Sequence, residues 1–288
     1  MTVTIVGLLV NGLFLGSLYG LIGLGLAFAF GVMRVVNVAH GEFVILAAFI
    51  GVTLVPYNPA SPLLLVPVVA AIMFMVGWSL QAFLLDRVVG KDQMPALLIT
   101  FGLSVALRNV FVEIWGADSK SIVVGALKFS SIEVLGIRLG ELPMLTFAVA
   151  VALFVGLQIL LSKTSLGRVI RATADDAETV QLFGVGPRRI YAISMGLAVS
   201  ASAVAGVLFA MRSSFNPFSG VERLLIAFEV VIIGGVGSLW GALLGGFVLG
   251  VSQLVGLYFA PNSGLLYPHL VFFAILMFAP YGISGQRQ

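Results

Sequence analysis

The sequence predicts an all-α polytopic membrane bundle of eight or nine spans, some of them short or broken. Three observations carry that prediction: the composition, the spacing of charged residues, and the points where proline and glycine interrupt apolar windows. Of 288 residues, 60% are hydrophobic and 9% charged, against roughly 45–50% and 25% in a soluble domain. Eight spans of about 20 residues need roughly 160 residues, and 60% of 288 supplies about 173 apolar ones. Residues 1–288 therefore read as one transmembrane domain, with no length left for an appended soluble one.

The spans follow from charge-free windows. None of Asp, Glu, Lys or Arg precedes Arg34, which leaves room for one long first span, tilted or broken. No basic n-region or small-residue cleavage site is present, so this stretch is expected to remain in the protein. The window Phe43 to Leu85 is too long for one helix and breaks at Pro56-Tyr57-Asn58-Pro59-Ala60-Ser61-Pro62, because proline removes backbone donors. Further spans run from about Met94 to Gly116, Leu142 to Ser162, Ile190 to Met211 and Val221 to Gly234. The last charge-free stretch, Val230 to Gln286, breaks at Pro261-Asn262-Ser263-Gly264.

Orientation follows from the basic residues. Residues 163–189 hold five of the fifteen: Lys163, Arg168, Arg171, Arg188 and Arg189. This loop is therefore expected to be cytoplasmic, together with the Arg34 and Arg87/Lys91 turns. The N-terminus, the proline-rich turn and the segment 117–141 then lie outside. Alternation at Ser121-Ile122-Val123-Val124 and Ser131-Ile132-Glu133-Val134 suggests a small external hairpin there.

Composition excludes several functions. Fifteen basic and twelve acidic side chains give +3 with no run of like charge, which argues against a nucleic-acid partner. Zero cysteines remove a disulfide framework and a thiolate nucleophile. The two histidines, His40 and His269, have no ligand cluster nearby in sequence, so no metal is expected. The only Gly-Lys pair, Gly90-Lys91, lacks the rest of a phosphate-cradling loop, so this chain is not expected to hydrolyse ATP.

Candidate functional residues fall in three groups. Gly12, Gly16 and Gly20, and later Gly237, Gly241 and Gly245, recur every four residues. They serve close helix packing or mark corresponding elements of two related halves. Gly234, Gly235 and Gly237 can unwind a helix, which is tolerated at membrane depth only where the backbone lines a cavity or is buried in protein. Asn37, His40 and Glu42 sit at the inner mouth of the second span, where they line a gate or cap the helix and snorkel. Glu229, deeper in its span, costs about 2.5–3.5 kcal/mol on insertion scales without a partner; it lines a pore or is a buried hydrogen-bonded carboxyl. Arg108 and Glu113 read as interfacial anchors. In the cytoplasmic loop, Asp175 as N-cap, Glu178 three residues on and Gly184 at the end define a short amphipathic helix. It presents Ala177, Val180, Leu182 and Phe183 to a partner's groove or to the lipid surface.

Asn11 to Phe43, Ile99-Thr100-Phe101-Gly102-Leu103-Ser104, Leu166-Gly167-Arg168 through Gly184, and Gly234-Gly235-Val236-Gly237-Ser238-Leu239-Trp240-Gly241-Ala242 resemble the permease subunits of branched-chain amino acid ABC importers. The resemblance runs the full length. Glu178 and Gly184 fit the Glu-Ala-Ala-x-x-x-Gly loop that such permeases present to their ATPase, with Thr179 and Val180 in place of the alanines. It implies a bacterial inner-membrane importer built from this chain, a second related permease, two ATPase subunits and an external solute-binding protein. ATP and Mg would bind in the partner subunits, with no cofactor here, and Asp175, Asp176, Glu178, Leu182, Phe183 and Gly184 would couple the ATPase. Branched-chain or related amino acids are the implied solute. A self-sufficient channel or secondary transporter for a small polar solute, such as urea or an amide, is the alternative; a non-transporting scaffold would need none of the embedded polar residues.

Overall fold

The computed structural model describes residues 2–57, 62–89 and 93–283. Asn58 to Ser61 of the proline-rich break and Lys91 lie outside the described residues. Helix α1 (Thr2–Met33) is continuous over 32 residues, about 48 Å at 1.5 Å per residue. It is unbroken and longer than the roughly 30 Å hydrocarbon layer. Then come α2 (His40–Leu54), α3 (Leu65–Leu80) running into a π-helical turn at Gln81–Leu85, and α4 (Gln93–Trp115). A two-stranded hairpin, β1 (Ser131–Val134) and β2 (Ile137–Gly140), leads into α5 (Glu141–Lys163), followed by the short α6 (Ser165–Asp175) and α7 (Ala177–Leu182). The chain closes with α8 (Pro187–Arg212), α9 (Gly220–Gly234), α10 (Leu239–Phe259) and α11 (Leu266–Phe278).

Seven helices among the described residues are long and apolar enough to cross a membrane, and α11 is a shorter apolar helix. α9, at 15 residues, spans about 22 Å and is another short piece of the kind the sequence foretold.

The hairpin forms where the second alternating stretch predicts it. Leu135 and Gly136 both take positive φ, the two-residue turn that matches strand twist. The first alternating stretch is not a strand. Lys120 pairs with Phe215 across a single bridge, and the Ile122 amide donates to Ala210 O at 2.8 Å, so this segment packs into the end of α8.

α8 forms the centre. It is rich in alanine, serine and glycine and buried along most of its length, whereas α3, α4 and α5 expose most of theirs. Small residues let neighbouring backbones approach where apolar solvent gives helices little reason to associate. Gly16 faces Gly246 and Gly250, and Gly12 faces Val251. Gly20 faces Leu243, Gly241 backs onto Gly234, and Gly245 packs on Val230. The two glycine stripes are thus not counterparts of one another, as repeat logic suggested. The first seats α1 on α10, and Gly241 and Gly245 of the second seat α10 on α9.

The repeat lies elsewhere. α1 packs on α10 as α8 packs on α3, α9 packs on α1 as α2 packs on α8, and α11 packs on α9 as α4 packs on α2. Exchanging α1 to α4 for α8 to α11 therefore preserves this set of contacts, most of which lie between the two sets, and α1 and α8 run in opposite directions, since α1 begins and α8 ends against the 117–141 segment. This is an inverted repeat. The local sequence agrees: Asn37 and Gly41 in one half match Asn216 and Gly220 in the other at an offset of 179 residues, the same offset that separates the helix ends Met33 and Arg212.

Candidate translocation centre and coupling surface

In each half a long helix ends, the chain doubles back without helical structure, and a 15-residue helix begins inside the bundle. In the first half the reversal is at Arg34, which takes φ +52. That left-handed conformation costs a non-glycine residue roughly 1–2 kcal/mol. Buried backbone in the returning segment must find partners inside the protein. Asn37 supplies one, its Oδ1 accepting from the Ala39 amide at 3.0 Å, and Thr100 Oγ1 accepts from the Val38 amide at 3.1 Å. The second half repeats the device: Asn216 Oδ1 accepts from the Phe218 amide at 2.9 Å, and the Ser219 amide donates to Asn216 O as the His40 amide does to Asn37 O.

This geometry corrects the position of His40 and Glu42. His40 Nε2 donates to Ile22 O at 2.8 Å, and its ring lies beside Gly25. Ile22 and Gly25 are eleven and eight residues before the end of α1 at Met33, about 12–17 Å along its axis. α2 therefore starts deep in the bundle and not at its mouth. Hydropathy locates an apolar window but not the depth at which a helix inside it begins. His40 and Glu42 are 3% and 2% exposed, so neither snorkels.

Glu42 joins three helices. Its Oε1 accepts from Ser104 Oγ at 3.0 Å and from Arg108 Nη2 at 2.8 Å. Arg108 is thus the partner of a buried carboxylate and not an interfacial anchor. Oε2 has no hydrogen-bond partner among the described residues and lies against Gly220, where any side chain would collide with it. Gly41 in turn meets Gly220 O and the Leu224 amide. The starts of α2 and α9 thus abut, and the Glu42 carboxylate stands at the positive end of the α9 dipole.

In the second half Glu229 is 2% exposed, and its Oε1 meets His269 Nδ1 from α11 at 2.5 Å. The Glu229 carboxyl is thus buried and hydrogen-bonded in this conformation. Gly234 ends α9, and Gly235 and Gly237 take positive φ in the α9–α10 turn. Gly237 packs on Gly31 near the end of α1. The glycine run thus separates two helices and does not unwind one. Ser238 then caps α10, accepting from the Gly241 amide at 3.0 Å.

At the same end of the bundle, α5 turns sharply into α6. Thr164 accepts from the Gly167 amide at 3.0 Å, and Gly167 lies so close to Leu160 and Leu161 that only glycine fits. The α7 cap is Asp176, not Asp175. Asp176 Oδ1 accepts from the Glu178 and Thr179 amides, each at 3.0 Å, and Thr179 Oγ1 donates to Oδ2 at 2.5 Å. Asp175 instead completes α6. The cap falls one residue later than the sequence spacing placed it, and the Thr179 hydroxyl adds a further bond to Asp176. Gly184 takes φ +79 just beyond α7, as a left-handed helix stop requires. Val180 is buried against the protein, whereas Leu182 and Phe183 are 85% and 81% exposed.

The Thr179 hydroxyl, followed by the Thr179 amide, holds the Asp176 carboxyl below its ordinary range. A depressed folded-state value means that the cap acts fully above the usual carboxylate pKa and is lost as pH falls through the folded one. Exchange of the 178 and 179 amides, corrected for intrinsic rate, is expected to accelerate only as pH falls below the usual carboxylate pKa of about 4. Asp176→Asn, which caps without ionising, should remove that response; identical pH dependence in both proteins would count against the cap.

Sequence reading did not single out Arg212 and Arg223, which flank the second buried reversal. The Asn-x-x-x-Gly pattern at 37–41 and again at 216–220 was the available signal, because it places Arg212 and Arg223 on either side of a second buried reversal.

Long apolar helices around two internal helix starts, with polar pairs held at depth, define a multi-pass membrane protein. Residues 8–280 match the family described as the branched-chain amino acid transport system permease component, and the chain belongs to that family. It is 31% identical to the high-affinity branched-chain amino acid transport system permease protein BraD of Pseudomonas aeruginosa, over 97% of this chain and 95% of that protein. To the permease protein LivH of Salmonella typhimurium it is 26% identical, over 96% and 94%. To the probable LivH of Methanocaldococcus jannaschii it is 27% identical, over 93% and 89%. No solved structure gives a significant match.

Proposed function

We propose that this chain is the membrane permease subunit of an ATP-driven importer of branched-chain or related amino acids, in a bacterial cytoplasmic membrane. One observation carries the coupling part: α7 is held by its Asp176 cap and the left-handed Gly184, yet points Leu182 and Phe183 away from its own protein. Apolar side chains so exposed on a short, rigid helix suit a groove in another protein. The partners are two ATPase subunits, which bind ATP and Mg, a second related permease and an external solute-binding protein. This chain itself uses no cofactor. Family membership favours this reading over a self-sufficient channel or secondary transporter.

Motion has a short route. α7 packs on α6 and α8, and α8 runs without a break from Pro187 to Arg212, where the second buried reversal begins. Closure of the ATPases would displace α7, and α8 would carry that displacement to the paired starts of α2 and α9. Asn37, His40, Glu42, Glu229 and the Gly234–Gly237 turn would form or gate the path on this reading.

Two measurements test it. Gentle solubilisation and mass spectrometry are expected to recover ATPase subunits and a second permease with this chain; a pure homo-oligomer that transports would overturn the proposal. Glu229→Gln removes the charge opposite His269 and is expected to slow leucine uptake into vesicles several-fold, about 1 kcal/mol, at equal protein in the membrane. Unchanged kinetics would leave Glu229 a structural role only.

A further inference from the structure

The β1–β2 hairpin has two chemically distinct faces. Residues directly opposite one another in an antiparallel pair share a side, and the register sets Ile132 opposite Leu139 and Val134 opposite Ile137. These four form an apolar face, and Ser131, Glu133 and Arg138 fall on the other. The apolar face meets α1 through β2: Ile137 Cγ2 lies against Gly7, and the Asn11 side-chain amide donates to Arg138 O at 3.3 Å. Its β1 half is uncovered. Ile132 and Val134 are exposed, and Leu135 at the turn and Phe129 just before β1 are 91% and 84% exposed.

The two helices beside the hairpin fix its height. α5 starts at Glu141, directly after β2, and ends at Lys163. Its 23 residues measure about 34 Å, slightly more than the roughly 30 Å hydrocarbon layer. α1 gives the same answer. The hairpin touches α1 at Gly7 and Asn11, and Phe14 lies 5.5 Å from Phe147 of α5 between ring centroids, so both helices start on the same side. Counted back from Met33, about 20 residues cross the hydrocarbon and end near Phe14. Gly7 and Asn11 then stand roughly 3–9 Å beyond it, within the headgroup layer of about 5–8 Å on each side.

We propose that the hairpin is an interfacial lipid anchor: Ile132, Val134, Leu135 and Phe129 enter the boundary between headgroups and acyl chains, while Glu133 and Arg138 stay in the headgroup water. Apolar side chains without protein cover at this height gain by leaving water for the acyl boundary. The pattern on α1 selects lipid over a docked soluble protein. Ile5 and Leu9 are also exposed, and each lies two residues from Gly7, which puts them on the far side of α1 from the hairpin. A bilayer covers both sides of that helix at one height, whereas a single docked protein covers one. The anchor fixes the starts of α1 and α5 at the membrane surface.

The chain contains no cysteine, so Ile132→Cys, Leu135→Cys and Glu133→Cys each place a single fluorophore on it at an exposed position. The labelled chain is studied in the complex recovered with it, any cysteines of its partner subunits replaced, in vesicles of phosphatidylethanolamine and phosphatidylglycerol. Lipids brominated on their upper acyl carbons are expected to quench most of the emission from positions 132 and 135 and little from position 133. Iodide on both faces of the membrane should give the reverse order. Equal iodide quenching at all three positions, with none by brominated lipid, would overturn the proposal and leave the hairpin in water. Labels at 132 and 135 that neither quencher reaches would also overturn it, by assigning the apolar face to a protein partner.

Discussion

Gly184→Val is expected to abolish uptake, by at least about tenfold, while the protein still inserts into the membrane at the wild-type level. A Cβ at this position would meet nothing within 4 Å, so the effect arises from the backbone and not from a clash. At φ +79 an L-residue pays roughly 1–2 kcal/mol, and a β-branched one pays more. The Gly184 amide donates to Gln181 O at 2.9 Å and the Val185 amide closes on Val180 O at 3.4 Å. Relaxing the strain would open both bonds and swing Leu182 and Phe183 out of register with their partner. The substitutions should therefore rank by their tolerance of the left-handed region: Gly184→Asn retains most uptake, Gly184→Ala an intermediate amount, Gly184→Val none. Crosslinking between position 182 and the ATPase should fall in the same order. Normal uptake by the valine variant would sink the coupling assignment.

The helix α7, its glycine stop and the hairpin at 131–140 were all legible, because each is a local problem whose answer lies within ten residues. Gly184 needs a positive φ whatever surrounds it, and a capped turn needs only its own aspartate and amides. Even there the sequence reading put the cap on Asp175, whereas the structure puts it on Asp176, which also takes the Thr179 hydroxyl. The spans were legible because burial in lipid demands length and apolarity and little else. What was not legible is depth. His40 and Glu42 follow a short polar break, and the pattern is the same whether that break lies at the membrane surface or far inside. Only the contacts of His40 with Ile22 and Gly25 distinguish the two. Pairings were equally hidden: Glu42 and Arg108 are 66 residues apart, and Glu229 and His269 are 40 apart. Apolar periodicity cannot specify which charged residue another helix brings to a site. The glycine stripes left packing and repeat readings open for a related reason, since the same four-residue spacing suits any tight helix contact, between repeats or within one.

The inverted repeat gives Glu42 more weight than its neighbours. It belongs to the first half through α2 and Arg108, and it touches the second half at Gly220. Glu42→Ala would leave Arg108, Ser104 and the first turn of α9 facing a hole. Removing one member of a buried pair costs about 3–5 kcal/mol, a large share of the roughly 5–15 kcal/mol that holds a domain together. A marked fall in thermal midpoint and in protein recovered from the membrane is expected. Replacing both members by apolar residues is often near neutral, so Glu42→Leu with Arg108→Leu should recover much of the lost stability. That recovery separates two roles. If the pair only holds the fold, the double variant should transport; if it also latches the two halves in one state of the cycle, the double variant should be stable yet slow, with ATP hydrolysed and little leucine moved. The second outcome is expected, because the carboxylate sits where the starts of α2 and α9 would have to part. A Glu42→Ala protein with the wild-type midpoint would remove the pair from both roles.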